Sequence, residues 1–152
     1  MKLIDARRDL YRKLAHKEGY RSRSAYKLKE LNTSYRIIGP GFSVLDLGCS
    51  PGGWSQVAHE LAGNRGQVMG IDKSYVEEIP EVHFIRGDIE DESIVEQVFD
   101  YFGGKVNAVI CDLSPTVTGM WDVDHGRQIS LNYAASKIVD QVLVKKGNAL
   151  FK

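Results

Sequence analysis

The stretch Asp46-Leu47-Gly48-Cys49-Ser50-Pro51-Gly52-Gly53-Trp54 decides how this 152-residue sequence reads. It follows an aliphatic run, Ser43 to Leu47, and opens into a segment with apolar residues at helical spacing, about Trp54 to Leu61. A strand that passes through a loop of small residues into a helix is the first unit of a doubly wound α/β sheet. Such a loop also lets a ligand approach the backbone closely. It does not match the dinucleotide fingerprint G-x-G-x-x-G, because Ser50 stands where the second glycine admits a pyrophosphate, and no Walker lysine follows for a triphosphate. A nucleoside ligand without phosphate fits better, and S-adenosylmethionine is the common example. A tight strand-to-helix turn with no ligand is the weaker alternative.

Outward from this loop, the chain after Gly39-Pro40-Gly41 alternates short apolar runs with helical stretches. Candidate strands are Ser43 to Leu47, Gln67 to Ile71, Val82 to Arg86, Val106 to Cys111 and Asn148 to Phe151. Helices are expected at about Trp54 to Leu61, Asp91 to Phe102 and Gly126 to Val144. The strands are too uniformly apolar to leave a face in water, as in a parallel sheet covered on both sides. The expected fold class is therefore α/β, a Rossmann-like doubly wound, mostly parallel sheet, with ligands bound beyond the carboxyl ends of its strands. Those ends carry Asp46 and Gly48 to Gly53, Asp72, Gly87-Asp88, Asp112 and Lys152.

The formal net charge of zero hides an asymmetry. Residues 1–36 hold 11 Lys+Arg against 4 Asp+Glu, and residues 37–152 hold 9 against 16. Helices at residues 5–17, ended by Gly19, and from Ser24 to about Leu31 make the first segment a basic helical unit. It includes Arg7, Arg8, Arg12, Lys13, Lys17, Arg21, Arg23, Lys27 and Lys29, a set that attracts a polyanion by counterion release. Nucleic acid is the leading partner; a merely solvated basic face is the alternative. The expected organisation is a basic helical unit at 1–36 and an α/β ligand-binding domain at 37–152.

The rest of the composition excludes several classes. With 43% hydrophobic and 26% charged residues the chain is globular and not disordered. No apolar run approaches the roughly 20 residues of a membrane span, and charges interrupt any signal-peptide core, so a cytoplasmic address and no membrane partner are expected. Cys49 and Cys111 show no CxxC pairing and read as buried thiols. His16, His59, His83 and His125 lack ligand spacing, so no metal site is expected.

Taken singly, the strand-end residues are ambiguous. Asp72, about 20 residues past the glycine loop, suits the hydroxyls of a ribose. Asp88 suits an exocyclic adenine amine, although taken alone an Asp here reads first as an N-cap or turn residue. Asp112 looks into the same crevice, and Lys152 stands level with it on the next strand. Trp54 packs either on a ligand or in the core. Trp121 falls in an expected loop, Thr116 to Asp124, that could act as a flap.

Together, Arg21-Ser22-Arg23-Ser24-Ala25-Tyr26-Lys27-Leu28, Asp46-Leu47-Gly48, Ser50 to Gln56, Gly87-Asp88, Asp112-Leu113-Ser114-Pro115 and Gly147 to Lys152 resemble the FtsJ/RrmJ-like ribose 2′-O-methyltransferases over nearly the whole chain. The resemblance implies methylation of a uridine 2′-hydroxyl in large-subunit ribosomal RNA, free or in an assembled subunit, with S-adenosylmethionine as cofactor and no metal. Transfer RNA is the alternative substrate, and a non-catalytic RNA-binding module the alternative class. By the same resemblance, Gly52 and Trp54 line the methionine and ribose end of the cofactor, with Gly48, Ser50, Pro51 and Gly53 completing the loop. Asp72 holds its ribose, Asp88 its adenine, and Asp112 borders its amino group. Lys27, Asp112 and Lys152 correspond to three members of a Lys-Asp-Lys-Glu tetrad, with Lys152 as the base. The Glu falls on a later strand, so the sheet is expected to be truncated after its fifth strand.

Overall fold

The computed structural model describes residues 2–152; Met1, the first residue of the basic segment, lies outside them. Five strands form one parallel sheet: β1 (Ser43–Leu47), β2 (Gln67–Asp72), β3 (Val82–Arg86), β4 (Val106–Cys111) and β5 (Leu143–Phe151), in the order β3-β2-β1-β4-β5. The helices are α1 (Leu3–Glu18), α2 (Ser24–Tyr35), α3 (Gly53–Ala62), α4 (Ser93–Phe102) and α5 (Trp121–Val142). The order reverses at β1, which pairs β2 on one side and β4 on the other. At such a switch the connections leave in opposite directions and open a crevice at the strand ends.

Strand alternation builds the two layers. Leu45, Leu47, Met69, Ile71, Val109 and Cys111 face one way and pack with Ile94 and Val98 of α4 and Ala135, Ile138 and Val142 of α5. Val44, Val68, Ala108 and Ile110 face the other way, against Trp54, Val57 and Ala58 of α3 and Ala25 and Leu28 of α2. Helix α2 thus belongs to the same core as the sheet, whereas α1 buries only Ala15. Helix α1 stops at Gly19, whose φ of 80° is open to glycine without penalty.

Three boundaries differ from the sequence reading. Helix α2 runs on to Tyr35, where Asn32 bonds the backbone of Ile38 in both directions, at 2.7 and 3.2 Å. Helix α5 begins at Trp121 and not Gly126, so Trp121 is no part of a loop. Asp124 explains the early start: its carboxylate accepts from the N–H and hydroxyl of Thr118 and the N–H of Gly119, folding the preceding turn onto the helix. Strand β5 begins at Leu143 and not Asn148. Between its pairing of Leu143 with Val106 and of Asn148 with Ala108 the register shifts, with Lys146 at a φ of 67°, and this irregularity breaks the alternation from which strands are read.

Because Leu28 is wholly buried in the α2, α3 and sheet layer, Leu28→Ala is expected to cost about 2–5 kcal/mol of stability. Urea unfolding checks this; a much smaller loss would mean that α2 is an appended arm.

Candidate active site

At the switch point the backbone leaves little room for side chains. The N–H groups of Gly48 and Cys49 both point to Ile71 O, and Asp112 N–H donates to Leu47 O. Gly48 has a φ of 75°, and a Cβ there would lie 2.8 Å from Asp112 O, so both conformation and space require glycine. Beside it opens a cavity of about 520 Å³, lined among others by Gly48, Ser50, Ile71, Asp72, Glu90, Asp112, Leu113 and Arg127. That volume suits a nucleoside-sized ligand.

Of the sequence-predicted cofactor residues, Gly48, Ser50, Asp72 and Asp112 stand on these walls, and Pro51, Gly52, Gly53, Trp54 and Asp88 do not. Asp72 joins two loops, accepting from Ser50 N–H (3.0 Å) and Ser74 N–H (2.8 Å). Asp88 accepts from Glu90 N–H and pairs with Lys73 at 3.3 Å, a turn role, although its neighbours Gly87 and Ile89 reach the cavity. Trp54 is buried, its indole N–H donating to Ser24 O at 2.8 Å, which fastens α3 to α2.

The glycines of the loop admit protein. A Cβ on Gly52 would meet the Arg21 side chain at 3.0 Å, and one on Gly53 would collide with the Ser22 hydroxyl. The Arg21 guanidinium donates to three carbonyls, Pro51 (3.1 Å), Glu77 (2.6 Å) and Glu78 (2.7 Å). Gln56 adds a two-way link, accepting from Arg21 N–H and donating to Gly19 O. The segment joining α1 to α2 is thereby stitched to the loop after β1 and to residues 73–81, which join β2 to β3 without a helix.

A second cavity, of about 450 Å³, is bounded by Arg7, Arg8, Tyr11, Arg23, Lys27 and Lys152, with Glu30 and Tyr26 nearby on its wall. Lys27 and Lys152, far apart in sequence, therefore share one space. Lys152 Nζ also reaches Asp112 Oδ2 at 3.4 Å, and Asp112 lines the first cavity. This partly exposed pair links the wall of one cavity to the wall of the other.

Sequence reasoning missed Arg127 and Glu90, which no motif marks, and did not single out Asp46 for chemistry. Asp46 is fully buried in the middle of β1. Its Oδ2 accepts from the Ser55 hydroxyl at 2.6 Å, and its Oδ1 is the one buried side-chain polar atom without a partner among the described residues. Burial pushes its carboxyl up to about 7, reinforced by the charges of Asp112 and Asp72 and opposed by Ser55. A carboxyl set among apolar strand residues was the available signal. Burial likewise pushes both cysteine thiols up, Cys111 to about 12, which makes them poor nucleophiles. Among the described residues, no cluster of three or more His, Cys, Asp or Glu has a metal-holding arrangement, and no helix is long and apolar enough to cross a membrane.

Comparison with known proteins agrees with this geometry. The model of a family described as FtsJ-like methyltransferase matches residues 20–152. A ribosomal RNA large subunit methyltransferase E of Nitrosopumilus maritimus is 71% identical over the whole chain, which spans 77% of that relative. Its counterpart in Cenarchaeum symbiosum is 61% identical with the same coverage. Among solved structures, one described as a ribosomal RNA methyltransferase from Plasmodium falciparum superposes with a TM-score of 0.75 at 31% identity, covering 82% of this chain and 73% of its own.

Asp46 makes a prediction about pH. Its carboxyl titrates near 7 when folded but near 3.9 when unfolded, so the folded state holds an extra proton between these values and its stability falls as pH rises through that window. Asp46→Asn cannot ionise and keeps an acceptor for Ser55. The melting temperature of the variant minus that of the wild type should therefore grow between pH 4 and pH 8, by on the order of a few degrees. A pH-independent difference would show that Asp46 is charged in the fold.

Proposed function

The chain belongs to the FtsJ-like methyltransferase family, and on that premise we propose that it methylates the ribose 2′-hydroxyl of a uridine in large-subunit ribosomal RNA, using S-adenosylmethionine. One observation carries the reading: the Lys152–Asp112 pair, 3.4 Å apart, stands between an acid-rimmed cavity and a basic one. Donor and acceptor of a methyl group enter from opposite sides and meet there.

The first cavity fits the cofactor. Asp72, Glu90 and Asp112 on its lining outnumber Lys73 and Arg127 there, which favours a cation over a pyrophosphate. Asp72 keeps acceptor capacity for ribose hydroxyls beyond its two backbone bonds, and Asp112 stands ready for an ammonium group. Asp88 serves the adenine end through the turn it forms. When bound, the cofactor supplies a methyl group already activated on a sulfonium.

The second cavity takes RNA. Arg7, Arg8 and Arg23 hold phosphates, and Lys27 holds phosphate or ribose beside the reacting hydroxyl. A ribose hydroxyl is a weak nucleophile, so alignment and proton removal are the enzyme's main work. Lys152 is the group placed to accept the hydroxyl proton, and Asp112 orients it. Residues 1–36 act as the RNA-binding unit and residues 37–152 as the catalytic domain. The site of action is the cytoplasm, with ribosomal RNA or the assembled large subunit as partner.

Lys152→Ala is expected to lower the transfer rate by about 10²–10⁴-fold while cofactor affinity stays within a few-fold; transfer at the wild-type rate would remove the base assignment. Tritium from labelled cofactor should enter large ribosomal subunits or their RNA and map to a uridine ribose. Label in transfer RNA alone would reassign the substrate, and label in neither would leave an RNA-binding module.

A further inference from the structure

Arg21 lies in the most basic part of the sequence, yet its guanidinium is engaged by the protein's own backbone. All three guanidinium bonds end on backbone carbonyls, one in the loop after β1 and two in residues 73–81. It does not line the basic cavity, whereas Arg23 and Lys27, two and six residues further on, do. The same segment presses Ser22 against Gly53, and Ser24 receives the Trp54 indole N–H. The loop being held contains Ser50, on the cofactor-cavity wall, whose N–H is bonded to Asp72.

We infer that Arg21 is a positioning residue that couples RNA binding at the basic cavity to cofactor binding at the acidic one. This rests on the function proposed above. RNA held by Arg23 and Lys27 immobilises the segment between α1 and α2; through the Arg21 fork this fixes Pro51, and with it the loop carrying Ser50. A cofactor meeting an already ordered loop loses less conformational freedom on binding, so each ligand tightens the other. Linkage requires the two effects to be equal. Arginine suits the position because its planar fork reaches three carbonyls at once, a geometry that a lysine ammonium on a flexible stem does not reproduce.

The test is a binding cycle with S-adenosylhomocysteine, which cannot transfer a methyl group, and a fluorescein-labelled oligouridylate at low ionic strength. Calorimetry gives the first affinity with and without saturating oligouridylate, and anisotropy gives the second with and without S-adenosylhomocysteine. In the wild type both should tighten by the same factor, on the order of 5–10-fold. Arg21→Lys keeps the positive charge and should bring the factor close to one, with oligouridylate affinity alone little changed. Gln56→Ala, which cuts the neighbouring link and leaves Arg21 in place, should lower the factor as well and serves if Arg21→Lys does not fold. Arg23→Ala should weaken oligouridylate binding and keep the factor. Independent binding by the wild type, or a factor retained in both Arg21→Lys and Gln56→Ala, overturns the inference and leaves the proposed function standing. Failure of the wild type to bind either ligand would count against the function itself.

Discussion

The parallel pairing of β1 with strands on both sides is the constraint on which the rest depends. A strand buried on both faces and both edges has little freedom, so its carboxyl end is a fixed platform. Gly48 turns the chain off that platform with backbone bonds to β2 and contact with the end of β4. Asp72 and Asp112 then stand on either side of one crevice. The same burial isolates Asp46 and raises its carboxyl, so the platform that organises the site carries a built-in cost at alkaline pH.

Much of this was legible in the chain. The strands were visible as uniformly apolar runs, and the carboxyl-end rule led to Asp72, Asp112 and Lys152 without knowledge of any contact. What stayed hidden follows from the limits of local pattern. A glycine that makes room looks the same whether a ligand or the protein itself enters, and at Gly52 and Gly53 the visitor is the Arg21-Ser22 segment. Charge counts assume that each cation is free for a partner, and the Arg21 guanidinium is bonded to three carbonyls of the protein itself. The start of α5 was obscured because Asp124 organises the turn before it from inside the helix, a contact invisible to periodicity. Arg127 went unnoticed for another reason: it lies in the first turn of the expected helix, and no motif ties that turn to the crevice it lines.

The division of charge along the sequence becomes a division in space. The basic surplus of the first 36 residues surrounds one cavity, while carboxylates at the strand ends rim the other. Under the function proposed above, this sorts a polyanion from a small cation, and the Lys152–Asp112 pair joins the two walls. Helix α2 makes this arrangement firm: its inner face is core, and its outer side carries Lys27.

The kink in β5 bears on how that boundary can be adjusted. Lys145 and Lys146 are exposed, and the backbone of Lys146 turns out of the strand path, which discourages edge-to-edge association along the first half of β5. Only Asn148 to Phe151 keeps a regular ladder. The straight part of that edge is therefore short, and it runs directly into the residue that carries the amine.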